Sequence, residues 1–121
     1  IVEPEGKVIY LTFDDGPGPY TEQLLDVLAK YDVKATFFVT GAFPDYYNMI
    51  GEAYRRGHTI AMHTYTHRFD LIYTSSSAYY DDLNKIKALC ANKSVEKLEN
   101  QIREFKPDIA VLSDEKASNF T

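Results

Sequence analysis

Short apolar runs alternate with longer amphipathic segments along this chain, and that alternation narrows the possible folds more than any other feature. Val8-Ile9-Tyr10-Leu11, Phe37-Phe38-Val39, Ile60-Ala61-Met62 and Ile109-Ala110-Val111-Leu112 are short and apolar throughout, as buried parallel strands are. Between them, apolar residues fall at helical spacing. Leu24, Leu25 and Leu28 do so within Thr21 to Tyr31, Met49, Ile50 and Ala53 within Asp45 to Arg56, and Tyr79, Leu83 and Ile86 within residues 75–89. Strand–helix alternation implies right-handed βαβ units and a parallel sheet. The expectation is an α/β fold of about four parallel strands, at residues 7–12, 35–39, 58–62 and 109–112. Ser94 can cap a further helix over residues 94–105, with Val95, Leu98, Ile102 and Phe105 on one face and Pro107 at its end.

The 121 residues suffice for one domain with a modest core, and not comfortably for two. A net charge of −5 argues against nucleic acid or an anionic membrane as the principal partner. No apolar run approaches the ~20 residues needed to span a bilayer. Glu3, Glu5 and Lys7 interrupt any apolar stretch at the start, so no signal peptide is expected there, and Ile1 in place of Met suits a chain cut from a longer one. The single cysteine, Cys90, excludes an internal disulfide and leaves the compartment open.

Two runs carry candidate chemistry. Thr12-Phe13-Asp14-Asp15-Gly16-Pro17 follows the first apolar run, so its aspartates are expected at the C-terminal end of a buried strand. There Gly16 and Pro17 turn the chain and leave both carboxylates in a cleft. His63-Thr64-Tyr65-Thr66-His67 places two imidazoles four residues apart, just after the third apolar run. One turn of helix, or a tight loop, would bring both to one face. One carboxylate with two histidines leaves coordination positions open to water and substrate, which suits a catalytic metal rather than a structural one. Each run alone has a plainer reading, since Asp-Gly after a strand is commonly a turn and histidines at this spacing commonly sit on a solvated helix face. His58, which opens the third strand after Gly57, reads as structural or solvent-facing.

These runs resemble the first two motifs, T-F-D-D-G-P and H-[ST]-x-x-H, of the NodB-type polysaccharide deacetylases of carbohydrate esterase family 4. Lys34-Ala35-Thr36-Phe37-Phe38-Val39 and Arg56-Gly57-His58 between them also fit, and the likeness covers residues 1–89. The resemblance implies a divalent metal, usually zinc, held by Asp15, His63 and His67, with Asp14 as the general base. It also implies an N-acetylated glycan as substrate, peptidoglycan or a chitin-like polymer, and an extracellular or cell-wall setting for the parent family.

A complete (β/α) barrel needs roughly 200–250 residues. The family's later motifs, one with arginine and proline, a D-x-W and a late L-x-H, are not found: tryptophan is absent and no histidine follows His67. Residues 88–120, running from Ala88-Leu89-Cys90-Ala91-Asn92-Lys93-Ser94 through Phe105-Lys106-Pro107 to Ser113-Asp114-Glu115, are similar instead to the NADPH-binding domain of 1-deoxy-D-xylulose 5-phosphate reductoisomerase. Asn92 and Ser94 depart from that family's commoner residues, and its glycine-rich phosphate loop is missing. A single βα edge cannot hold a dinucleotide, so the segment reads as scaffold, no cofactor-binding residue is assigned, and NADP is not expected. Residues 88–91 are expected to extend the third helix, because Leu89 continues the face of Tyr79, Leu83 and Ile86; a strand is the alternative.

The sequence thus reads as a single α/β domain over residues 1–121, an engineered chimera. In it a deacetylase-like half (β/α) barrel (1–89) is completed, as a flavodoxin/Rossmann-like layered domain, by a reductoisomerase-like α/β segment (90–121). It carries the metal motifs of an N-acetylglucosamine-polymer deacetylase without the later ones, and inactivity is expected. Residual metal-dependent removal of N-acetyl groups is one alternative, and an NADP-binding module another. A half barrel bares its inner face, which either the 94–105 helix or a second copy must cover, and a monomer is favoured narrowly over a homodimer.

Overall fold

A computed structural model describes residues 5–93. Three parallel strands, β1 (Thr12–Asp14), β2 (Thr36–Val39) and β3 (Thr59–Met62), form one sheet in the order β1-β2-β3. Helices α1 (Thr21–Lys30) and α2 (Asn48–Arg55) connect them, and α3 (Phe69–Ile72) and α4 (Ser76–Lys93) follow β3. Strand order that repeats chain order is the winding of a (β/α)-barrel wall, and the parallel α/β class read from the sequence is the one the chain forms. Thr12 pairs with Thr36, and Thr36 with Thr59, so the strands start level. Their C-terminal ends therefore emerge at one edge, where loops can share a site.

The core lies between β2 and the helices. Phe37 and Val39 alternate with the half-buried Thr36 and Phe38, and pack with Leu25 and Leu28 of α1, Ile50 and Ala53 of α2, and Ile86 of α4. Leu25 and Leu28 are three apart and so share the inward stripe of α1, while Glu22 and Lys30 sit at the ends that suit their charges. His58 is structural: it is 4% exposed, its Nδ1 accepts the Ala35 N–H at 3.1 Å, and the Phe37 ring meets it edge-on at 5.3 Å. Burial holds its pKa below the ordinary histidine value, and the charges of Lys34 and Arg56 add to the effect.

Several expectations need correction. The first strand was expected over residues 7–12, yet pairing begins only at Thr12, and Ile9 and Tyr10 are 83% and 85% exposed. Within the described sheet β1 is an edge with β2 as its only neighbour, so its upstream apolar residues have no second strand to pair with. Burial of both sheet faces was also expected; the 94–105 helix that would cover the second face lies outside the described residues, among which Thr36 and Phe38 of β2 are half-buried and Met62 of β3 is exposed. The single helix expected from Asp45 to Arg56 is a 3-10 turn at Pro44–Tyr46 followed by the shorter α2. Pro44 lacks an N–H and carries a preset φ, which suits the first turn of a helix. The four-residue α3 had no periodic signal. Residues 88–91 continue α4 as helix. The helix at 94–105 and the strand at 109–112, with the layered completion they would supply, lie outside the described residues.

Candidate metal centre

The middle strand ties together two loops that are distant in sequence. Asp15 leaves β1 with φ 71°, a left-handed conformation that Asp tolerates better than most residues. The turn it opens is held from the end of β2: Thr40 N donates to Gly16 O at 2.7 Å and Thr40 Oγ1 to Asp15 O at 3.3 Å. His63 N donates to Val39 O at 2.9 Å, and Gly41 N donates to Tyr65 O at 2.8 Å. Three successive residues, Val39, Thr40 and Gly41, therefore grip both candidate motifs.

From His63 to His67 the chain is a tight loop, which decides between the two forms the spacing allowed. Thr64 and His67 are left-handed, at φ 71° and 54°, and His67 N donates to Thr64 Oγ1 at 3.1 Å. Tyr65 lies so close to Gly41 that a Cβ there would run into its ring. Beside it Tyr47 donates its hydroxyl to Gly41 O at 2.6 Å. Burial first, and the neighbouring Tyr65 hydroxyl second, push the Tyr47 pKa up to about 12. From the other side Asp82 of α4 accepts Tyr65 N at 2.6 Å, Thr66 N at 2.9 Å and Thr66 Oγ1 at 2.8 Å. Burial alone would raise the Asp82 pKa, but these hydrogen bonds prevail and hold it below the ordinary carboxylate value.

The result is a convergent cluster. Asp15 Oδ1 lies 3.1 Å from Nε2 of both His63 and His67, and all three candidate donor atoms fall within 4.8 Å of one another. Donors about 2.1 Å from a tetrahedral zinc stand roughly 3.4 Å apart, so one carboxylate oxygen and two imidazole nitrogens in this arrangement fit such an ion. The Asp15 side chain is 63% exposed and each histidine side chain 35%, which leaves room for further ligands. Asp14, the last residue of β1, lines an apolar cavity of about 430 Å³ with Phe13, Gly16, Pro17 and Tyr20. The sequence-derived set of Asp15, His63 and His67 thus meets at one point, with Asp14 adjacent in the chain.

Sequence reasoning missed Thr40, Gly41 and Asp82. Asp82 left a signal: it stands four residues before the buried Ile86, on the inward stripe of α4, where a carboxylate requires donors. Thr40 and Gly41 left none, because their importance arises from which strand lies in the middle.

Comparison with known proteins bears on the same residues. The family described as polysaccharide deacetylase matches residues 1–117. The peptidoglycan-N-acetylglucosamine deacetylase of Bacillus cereus is 44% identical over 92 residues, which cover 73% of this chain and 32% of that protein. The chitin deacetylase of Arthroderma benhamiae is 41% identical over 87 residues, covering 69% of this chain and 23% of that protein. The solved catalytic domain of the peptidoglycan N-acetylglucosamine deacetylase from Eubacterium rectale matches with a TM-score of 0.73 at 56% identity, over 76% of this chain and 42% of that one. The chain spans no more than a third of these curated relatives and less than half of the solved domain.

Proposed function

This chain belongs to the polysaccharide deacetylase family, and we propose that it carries the metal-and-base portion of a site that hydrolyses N-acetyl groups of an N-acetylglucosamine-containing glycan. The observation that carries this reading is the 3.1 Å approach of Asp15 Oδ1 to both His63 Nε2 and His67 Nε2. Those three residues would hold a divalent cation, with zinc the ion best suited to two imidazoles and a carboxylate. When bound, the cation would polarise the acetamide carbonyl and acidify a water.

The rest of the chemistry belongs to the side chains. The Asp14 carboxylate is the base that accepts the proton of the attacking water, from a strand end that the β1–β2 ladder holds rigid. The apolar cavity that Asp14 lines lies beside that carboxylate, which is itself open to solvent. Proton delivery to the leaving amine is not assigned to a histidine of these residues: His63 and His67 are engaged with Asp15, and His58 is buried under Phe37. This 121-residue polypeptide is therefore read as a cation binder with weak hydrolytic turnover.

The family match runs through residue 117 and so crosses the joint suggested by the sequence near residue 89. That match supports extending the deacetylase parentage past the joint. The test is zinc titration of the parent chain beside His63→Ala and Asp15→Asn, followed by an acetate-release assay on acetylated chito-oligosaccharide. Zinc affinity lost in both variants supports the reading, whereas affinity unchanged in both removes it.

A further inference from the structure

We propose that Asp82 is a positioning residue for the metal centre: from α4 it locks the Thr64–Thr66 loop in the conformation that brings the His67 imidazole to Asp15 beside His63. The inference rests on the reading of Asp15, His63 and His67 as metal ligands. Asp82 accepts its hydrogen bonds from Tyr65 and Thr66 and not from any of the three. It lies on another element, is 6% exposed, and directs both of its carboxylate oxygens at the loop. Oδ1 accepts Tyr65 N, while Oδ2 accepts Thr66 N and Thr66 Oγ1. Two consecutive amides and a hydroxyl aimed at one side chain suit a two-oxygen acceptor, and a charged one binds them more strongly than a neutral one.

The loop needs such a clamp. Left-handed residues stand on either side of the gripped peptides, at Thr64 and His67, and such backbone persists only where its surroundings over-determine it. The Tyr65 residue is held from two directions, since its carbonyl accepts Gly41 N from the sheet and its amide donates to Asp82 from α4. His63 is already fixed by Val39 O at the end of the strand. His67 has no ladder behind it; its place follows from the path of residues 64–66, and Asp82 sets that path. Outer groups that orient ligands in this way typically contribute 10–100-fold to metal affinity.

A clamp that merely fastened α4 to the domain would affect folding and leave the zinc affinity of the folded protein unchanged. The experiment therefore measures zinc affinity of the 121-residue chain by competition with a chromophoric chelator, with the metal-free melting temperature recorded in parallel. Asp82→Asn keeps the shape but offers one acceptor oxygen and turns an NH₂ toward donors, so zinc binding is expected to weaken about 10–100-fold. Thr66→Val removes only the hydroxyl bond and is expected to weaken binding several-fold, with Thr66→Ser restoring it. Parent-like zinc affinity in folded Asp82→Asn overturns the proposal. Should Asp82→Asn fail to fold, parent-like affinity in Thr66→Val overturns it instead. His63→Ala is run alongside: if it too binds zinc as the parent does, the ligand assignment fails and takes the proposal with it, whereas loss there with no loss in Asp82→Asn rejects Asp82 alone.

Discussion

Asp15 Oδ1 and His67 Nε2 lie 3.1 Å apart, although one residue follows β1, the other follows β3, and the strand between them belongs to neither. β2 brings them together through bonds from Val39, Thr40 and Gly41 to the two loops. The site is thus a property of three adjacent strand ends, and changes at any of the three should reach it.

Zinc should stabilise the chain by mass action. At a free concentration 100 times the dissociation constant the gain is about 2.7 kcal/mol, which thermal denaturation registers as a rise of several degrees. The rise is expected to vanish in His67→Ala. An unchanged rise in that variant would show that zinc binds elsewhere.

Asp14→Asn separates the base from the ligands. The variant is expected to keep the zinc-dependent rise in melting temperature and to lose whatever acetate release the parent shows. Parent turnover itself is expected to be low on the reading that no described histidine delivers the leaving-group proton, a loss that typically costs about 10²–10⁴ in rate. Robust turnover of the parent that survives Asp14→Asn would refute the base assignment.

Gly41→Ala pushes a methyl into the Tyr65 ring. Overpacking of this kind costs about 1–3 kcal/mol, and the displaced Tyr65 should carry the histidine loop with it and weaken zinc binding. Tyr65→Ala in the same chain removes the clash, so a double-mutant cycle on denaturation midpoints should show strong coupling. Additive effects would mean that the contact with Tyr65 is not the cause.

His58 makes stability fall in acid. Its pKa is lowered in the folded chain, by burial first and by Lys34 and Arg56 after it. The unfolded state, with an ordinary value of about 6.5, takes up the proton first. The contribution is therefore fully present above about pH 6.5 and is lost as pH falls through the lower folded value. Urea midpoints from pH 8 down to pH 5 should decline, and His58→Gln should flatten the part of that decline near pH 6. His58→Gln also endangers the bond to Ala35 N, so a lower midpoint at neutral pH is expected. A decline of equal slope in both proteins would assign it to groups other than His58.

Sequence alone determined the parallel α/β class, since short apolar runs between amphipathic helices leave little else, and it determined the donor types, since Asp15, His63 and His67 are legible as residues. It misplaced β1, because the exposed Val8 to Leu11 are as apolar as a strand that a neighbour covers on both sides. It also left open whether His63 and His67 meet on a helix or in a loop, because spacing four apart serves both. Only the tertiary structure settled these points. Which strand lies in the middle, and so which residues reach the two loops, depends on pairing between segments far apart in the chain. The clamp from Asp82 exists only because α4 packs back against β3, and no local pattern encodes that contact.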